Sequence, residues 1–235
     1  MKANDEWVRL SEEDLDDLLV HLVGYRFGTD PQSRLDEIRE ERAFYMRRFI
    51  RMARISPSDT VLELGSGCGF GTRTLACGAK RVLACDISPA YLSYAQRELA
   101  ELKNIEFHLI ESRNLSGIAA SSVDNIVSTS VFIHLNLYDI YLYFLEFNRV
   151  LKPGGRVAID FADMNRLAGC IRSAGAIKEF VGLADHYRQH PESIAGLVQW
   201  NSSRGIRGAA KLAGFSRLYR LGNRLLFRKS RSPKV

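Results

Sequence analysis

Val61-Leu62-Glu63-Leu64-Gly65-Ser66-Gly67-Cys68-Gly69-Phe70-Gly71-Thr72 decides the fold of this chain. A short apolar run carrying β-branched Val61 reads as a buried parallel strand. It empties into a loop with glycine at every second position, which can bend sharply and lay bare backbone against a ligand. Nineteen residues after Gly67, a second apolar run, Val82-Leu83-Ala84-Cys85, ends in Asp86. A glycine loop after one strand and an acid at the tip of the next is how doubly wound sheets hold a nucleoside. The loop lies under the ligand and the acid takes the ribose hydroxyls. A dinucleotide fingerprint, G-x-G-x-x-G or A, would need a small residue where Phe70 stands. That ring is badly suited to close helix–strand packing beside a pyrophosphate. The pattern is instead Glu63-x-Gly65-x-Gly67-x-Gly69.

Working outward, strand and helix alternate from Thr60 onward, which predicts a parallel sheet with helices on both faces. Ser88 is the expected N-cap of a helix with Pro89 at its first position and Leu92, Ala95, Leu99 and Leu102 along one face. Asn136 should cap a helix through Tyr141, Phe144, Leu145 and Val150, stopped by Pro153-Gly154-Gly155. The strand Arg156–Phe161 follows. Gly222-Asn223 is a two-residue hairpin turn, so the last two strands should be antiparallel. Residues 1–55 read as a helical leader. In it Ser33 caps a helix from Arg34, with Leu35, Ile38, Phe44, Met46, Phe49, Ile50 and Met52 on the buried side. Residues 56–235 form the nucleotide-binding domain. Within it, 162–203 depart from the alternation, with breaks near Gly175, Pro191 and Ser202, and are the candidate substrate lid above the crevice.

The hydrophobic share, 46%, and the charged share, 26%, are those of a soluble globular protein. Asp139 interrupts the best membrane-span candidate, Ile126 to Phe147. The opening Met1-Lys2-Ala3-Asn4-Asp5-Glu6 is acidic where a signal peptide would be basic and then apolar. Cys68, Cys77, Cys85 and Cys170 show no C-x-x-C spacing and read as reduced residues of a cytoplasmic protein. Charge is uneven. Residues 1–20 hold seven acids and two bases, while residues 193–235 hold ten bases and no acid. The formal net charge of +6 is therefore a property of the C-terminal stretch. A basic face admits nucleic acid, but a solvated strand face is the commoner meaning.

The order of landmarks resembles the class I S-adenosylmethionine (SAM)-dependent methyltransferases. Glu63 to Gly69 resembles their motif I, and Asp86-Ile87-Ser88-Pro89 their acidic second-strand end. Phe107 to Ser112 resembles the third strand and its adenine-side turn. Val123-Asp124-Asn125-Ile126-Val127 resembles motif IV, and Arg149 to Gly155 the turn before the fifth strand. The resemblance covers roughly residues 57–161 and, more loosely, 202–229. It implies a doubly wound, mostly parallel seven-stranded sheet with an antiparallel last strand, and SAM as cofactor. By it, Gly65, Ser66, Gly67 and Gly69 approach the methionine part of SAM, and Glu63 orients that loop or the methionine amino group. Asp86 accepts both ribose hydroxyls, Ile87 packs on adenine, and Glu111 and Ser112 face the adenine edge. Ser130 belongs to the same cofactor set.

His134, just past the fourth strand, borders the transferred methyl group in that family and is the candidate general base. A histidine that only shapes the loop is the alternative. A metal pair at His186 and His190 needs further ligands, and only Glu179 and Asp185 lie nearby, so surface histidines before Pro191 are the better reading; His21 and His108 read as structural. After the fourth strand stands Ser128-Thr129-Ser130-Val131, not an Asn/Asp-Pro-Pro-aromatic motif or a Pro-Cys nucleophile. No acidic cluster suggests a magnesium site. The remaining acceptors are oxygen, nitrogen or carbon of a small molecule. RNA or protein methylation through the basic face, and a non-catalytic scaffold, stay open.

Overall fold

The computed structural model describes residues 31–111, 113–164 and 199–230. In chain order these are α1 (Pro31–Ala53), β1 (Thr60–Leu64), α2 (Phe70–Ala76), β2 (Arg81–Asp86), α3 (Pro89–Glu98), β3 (Ile105–Leu109) and β4 (Val123–Ser128). There follow α4 (Leu137–Val150), β5 (Leu151–Asp160), α5 (Ser203–Leu212), β6 (Phe215–Leu221) and β7 (Arg224–Lys229). The strands form one sheet in the order β3-β2-β1-β4-β5-β7-β6. Neighbours from β3 to β5 run parallel. β7 is antiparallel to both β5 and β6, joined to β6 at Gly222-Asn223. The order reverses between β1 and β4, which places a ligand crevice at the carboxyl ends of those strands.

The pleat sends alternate side chains to opposite faces. Val61, Val82, Val127, Ala158 and Leu226 face one layer, built from Met46, Phe49 and Ala53 of α1 and Leu75 of α2. Leu62, Leu64, Ile126, Val157 and Phe227 face the other, built from α4 and α5. Burial on both sides is why these strands read as continuous apolar runs. Phe144 of α4 anchors the second layer, with ring centroids 5.1 Å from Phe227 and 5.4 Å from Phe215.

Two of the three expected caps form. The Ser88 hydroxyl accepts the Tyr91 N–H at 3.3 Å, and the Asn136 amide oxygen accepts the N–H groups of Tyr138 and Asp139. Ser202 caps α5 through the Gly205 N–H at 3.0 Å. Four expectations need correction. α1 starts at Pro31, before Ser33, because proline suits the first helical position better than serine suits a cap inside the helix. Phe44 is exposed, with Arg48 stacked over its ring, and lies off the Met46–Phe49–Ala53 face. Leu145 is exposed too; the buried side of α4 is Ile140, Tyr143, Phe144, Phe147 and Val150. β5 begins at Leu151 rather than Arg156, because Leu151 pairs with Val123 and a register shift before Asn125 absorbs the Pro-Gly-Gly turn. Most of the 162–203 insertion, with His186, His190 and Cys170, and also His21, lies outside the described residues.

Candidate active site

The β1–α2 loop needs glycine for measurable reasons. Gly65, Gly67 and Gly69 have φ of 76°, 52° and 83°, in the left-handed region. A Cβ on Gly65 would lie 2.0 Å from Val131 Cγ2, and one on Gly69 would lie 2.7 Å from Leu99 Cδ1. Among the described residues, a Cβ on Gly67 would meet nothing within 4 Å. Two glycines thus serve packing, and the third leaves an open backbone face. Backbone bonds from Gly65 N and Ser66 N to Cys85 O, at 2.7 and 3.1 Å, tie the loop to β2.

Asp86 ends β2 and is buried. One carboxylate oxygen accepts the Gly67 N–H at 2.7 Å, and the other accepts the Ser88 N–H at 3.0 Å. Burial pushes this carboxyl above its usual range, opposed by those backbone bonds. A carboxylate offers about four lone-pair sites, so both oxygens keep capacity for outside hydroxyls. Beside it the Ser66 hydroxyl is buried and has no hydrogen-bond partner among the described residues. An open glycine face, a buried acid with spare acceptors and an orphaned hydroxyl fit a nucleoside-bearing cofactor.

Glu63 lies beneath the loop. It is buried, and its Oε2 accepts the Thr72 hydroxyl at 2.6 Å. Loss of water raises its carboxyl to about 8, with nearby Asp86 adding and the Thr72 bond opposing. Ile87 is half-buried against the core, and Glu111 is exposed just past β3. Ser112 lies outside the described residues.

The far wall follows β4. Ser128 Oγ donates to Leu64 O at 3.0 Å and clips β4 to β1 at the switch point. Ser130 has φ of 60°; its N–H donates to Asp160 Oδ1 at 2.8 Å, and its hydroxyl accepts Arg42 Nη1 at 3.0 Å. The Tyr45 hydroxyl donates to Asp160 Oδ2 at 3.0 Å. Burial pushes the Asp160 carboxyl up, while Ser130, Tyr45, Arg42 and Arg224 pull it down. Arg42, Tyr45 and Asp160 were missed in the sequence. The available signal was an acid closing the apolar run Val157-Ala158-Ile159, the same pattern that marked Asp86. His134 sits on the turn from Ser130 to α4, partly buried, its N–H bonded to Val131 O at 2.9 Å. His108 lies elsewhere, on β3 near Glu106, its pKa lowered by burial. Among the described residues no His, Cys, Asp and Glu group could hold a metal ion.

Residues 62–159 match the family model described as a methyltransferase domain. The chain is 32% identical over 179 residues to an arsenite methyltransferase of Halobacterium salinarum, covering 66% of this chain and 45% of that one. It is 32% identical over 117 residues to a demethylmenaquinone methyltransferase of Tropheryma whipplei, covering 50% and 47%. It thus spans about half the length of these curated relatives. Its fold superposes on magnesium protoporphyrin IX methyltransferase of Synechocystis, solved with bound S-adenosylhomocysteine. The TM-score is 0.62 at 16% identity, covering 93% of this chain and 98% of that one. Glycine loop, acidic strand tip, sheet order and the methyltransferase-domain match over residues 62–159 agree in supporting a class I SAM-dependent methyltransferase family.

Proposed function

We propose that this protein transfers the methyl group of SAM to oxygen, nitrogen or carbon of a small-molecule acceptor. The observation that carries the reading is the open backbone face at Gly67, held directly against the buried Asp86 carboxylate. Asp86 would receive the ribose hydroxyls. Gly65, Ser66, Gly67 and Gly69 would hold the methionine part, with Glu63 fixing their loop from below. Ile87, Glu111 and Ser112 would line the adenine side, and Ser130 the methyl end. When bound, the cofactor supplies a methyl group already activated by its sulfonium.

The chain then has to align the acceptor, exclude water and take up a proton where the acceptor carries one. His134, on the loop beyond β4, is the residue we assign to that proton. The Ser130–Asp160–Tyr45 contacts would hold the loop's start while it works. Small acceptors named for the arsenite and demethylmenaquinone relatives support the acceptor class. Buried, unbridged Cys68 and Cys85 suit a reduced, cytoplasmic setting. Among the described residues no helix is long and apolar enough to cross a membrane. Calorimetry with SAM and S-adenosylhomocysteine tests the reading. Saturable binding of both is expected, and tight NAD binding with none of SAM would overturn it.

A further inference from the structure

The strands β6 and β7 present an unusual surface on the α1 side of the sheet. A groove of about 650 Å³ runs there between α1 and the two strands. Six arginines line it: Arg48, Arg51 and Arg54 from α1 and its end, Arg156 from β5, and Arg224 and Arg228 from β7. Among the described residues that line it there is no Asp or Glu. Arg224, Leu226 and Arg228 alternate with period two, so both β7 arginines share the face that Leu226 buries toward α1.

Part of this arrangement is structural, since Arg224 stacks over Tyr45 at 4.6 Å and Arg156 Nη1 donates to Ala53 O, but the rest opposes folding. Arg156 and Arg228 are direct cross-strand partners, and like charges placed opposite each other cost stability. Burial, Arg228 and Arg54 together lower the Arg156 pKa. The Nε atoms of Arg224 and Arg228 are buried without a hydrogen-bond partner among the described residues. The groove floor also exposes apolar side chains: Leu218, Leu221 and the Tyr219 ring, which is 49% accessible.

We infer that this groove docks a single strand of nucleic acid, at a surface distinct from the cofactor crevice. Guanidinium groups on both walls suit a phosphodiester backbone lying between them, because each planar fork can take two phosphate oxygens. The exposed Tyr219 ring offers a platform on which a base can stack. A duplex keeps its bases stacked inside, out of reach of the ring, and a lipid headgroup offers no base to stack on it. An acidic peptide would use the arginines but not the ring. The inference does not depend on the identity of the methyl acceptor.

Fluorescence anisotropy with a labelled twelve-residue oligouridylate, titrated with salt, tests it on the full chain. Saturable binding is expected, with a log–log salt slope of about −2 to −4, as roughly three to six phosphates at about −0.7 each would give. R48Q/R51Q changes two α1 side chains outside the core. It should weaken binding by at least about tenfold and flatten the slope by about 1.4. Y219A should weaken binding about fivefold or more with the slope unchanged. Unfolding temperature and SAM affinity should stay at wild-type values in both variants. The inference is overturned by no saturable binding at 50 mM salt (a low ionic strength that favours such contacts), or by binding that neither variant changes. It is equally overturned if oligoglutamate displaces the strand as well as unlabelled oligouridylate does, or if the protein binds phosphatidylserine vesicles and not the oligonucleotide.

Discussion

Each oxygen of Asp86 already holds one backbone N–H, so the residue shapes the loop before it meets any ligand. Asp86→Asn keeps the size and one acceptor oxygen but loses the charge; Asp86→Ala loses everything. Losing a charged bond costs about 1.5–3 kcal/mol. SAM affinity should therefore fall about tenfold or more in Asp86→Asn and further in Asp86→Ala, as calorimetry would show. Equal affinities in both variants and wild type would remove Asp86 from the ribose site. Glu63 makes a different statement, about pH. Its folded carboxyl titrates near 8, above the 4.5 of a free glutamate. The folded state then binds more protons than the unfolded state between those values. Its contribution is neutral below about 4.5 and turns unfavourable as pH rises toward 8. Glu63→Gln, which still accepts the Thr72 hydroxyl, should gain on wild type by on the order of 2–4 kcal/mol by pH 9. Melting curves from pH 5 to 9 would check it; a gap that does not widen with pH would contradict the buried-proton account. For His134, the general-base role predicts that His134→Ala lowers kcat by about 10²–10⁴-fold with SAM affinity nearly intact. Activity within a few-fold of wild type on the true acceptor would leave alignment as the whole mechanism.

At the scale of the element, the β1–α2 loop separates packing from ligand approach within five residues. Gly67→Ala meets only the cost of a left-handed backbone, about 1–2 kcal/mol. Gly65→Ala and Gly69→Ala add a clash with Val131 or Leu99, and overpacking costs about 1–3 kcal/mol more. Denaturant unfolding should rank Gly67→Ala above the other two in stability, while Gly67→Ala should still weaken SAM binding. A Gly67→Ala as unstable as Gly65→Ala would show that the face is not open. The same loop explains what was legible in the sequence. Strands buried on both faces write uninterrupted apolar runs, and a left-handed loop writes glycine, so β1, its loop and Asp86 could be read directly. Caps were legible where a side chain bonds its own helix, at Ser88 and Asn136. The crevice wall after β4 was not, because Tyr45 and Asp160 lie 115 residues apart and only the folded sheet brings them within 3.0 Å. Arg42 was hidden for the same reason: its partner Ser130 is 88 residues away. The wrong faces of α1 and α4, with Phe44 and Leu145 outside, came from counting apolar residues without the layer they pack against.

For the molecule as a whole, the question is whether α1 is an appendage or part of the domain. The sequence divides at residue 55, where the helical leader gives way to the alternating pattern. The contacts argue for one cooperative body. Met46, Phe49 and Ala53 are buried against Val61, Val82, Val127 and Ala158, from four strands of the sheet. Polar links reinforce them: Tyr45 to Asp160, Arg42 to Ser130, and Arg156 Nη1 to Ala53 O at 3.0 Å. Through Tyr45 and Arg42, the helix that covers the sheet also reaches the wall of the crevice, so α1 and the site are expected to fold in one transition. Phe49 is fully buried, and Phe49→Ala should cost about 3–5 kcal/mol through lost burial and the cavity left behind. If α1 and the sheet fold together, denaturant curves followed by far-ultraviolet circular dichroism and by tyrosine fluorescence will shift together and stay coincident. SAM affinity will persist until that common transition. If α1 were an appendage, Phe49→Ala would split the curves, with an early step that releases the helix and leaves the sheet, and its SAM site, folded. That second pattern would place the domain boundary at residue 55 and remove α1 from the core.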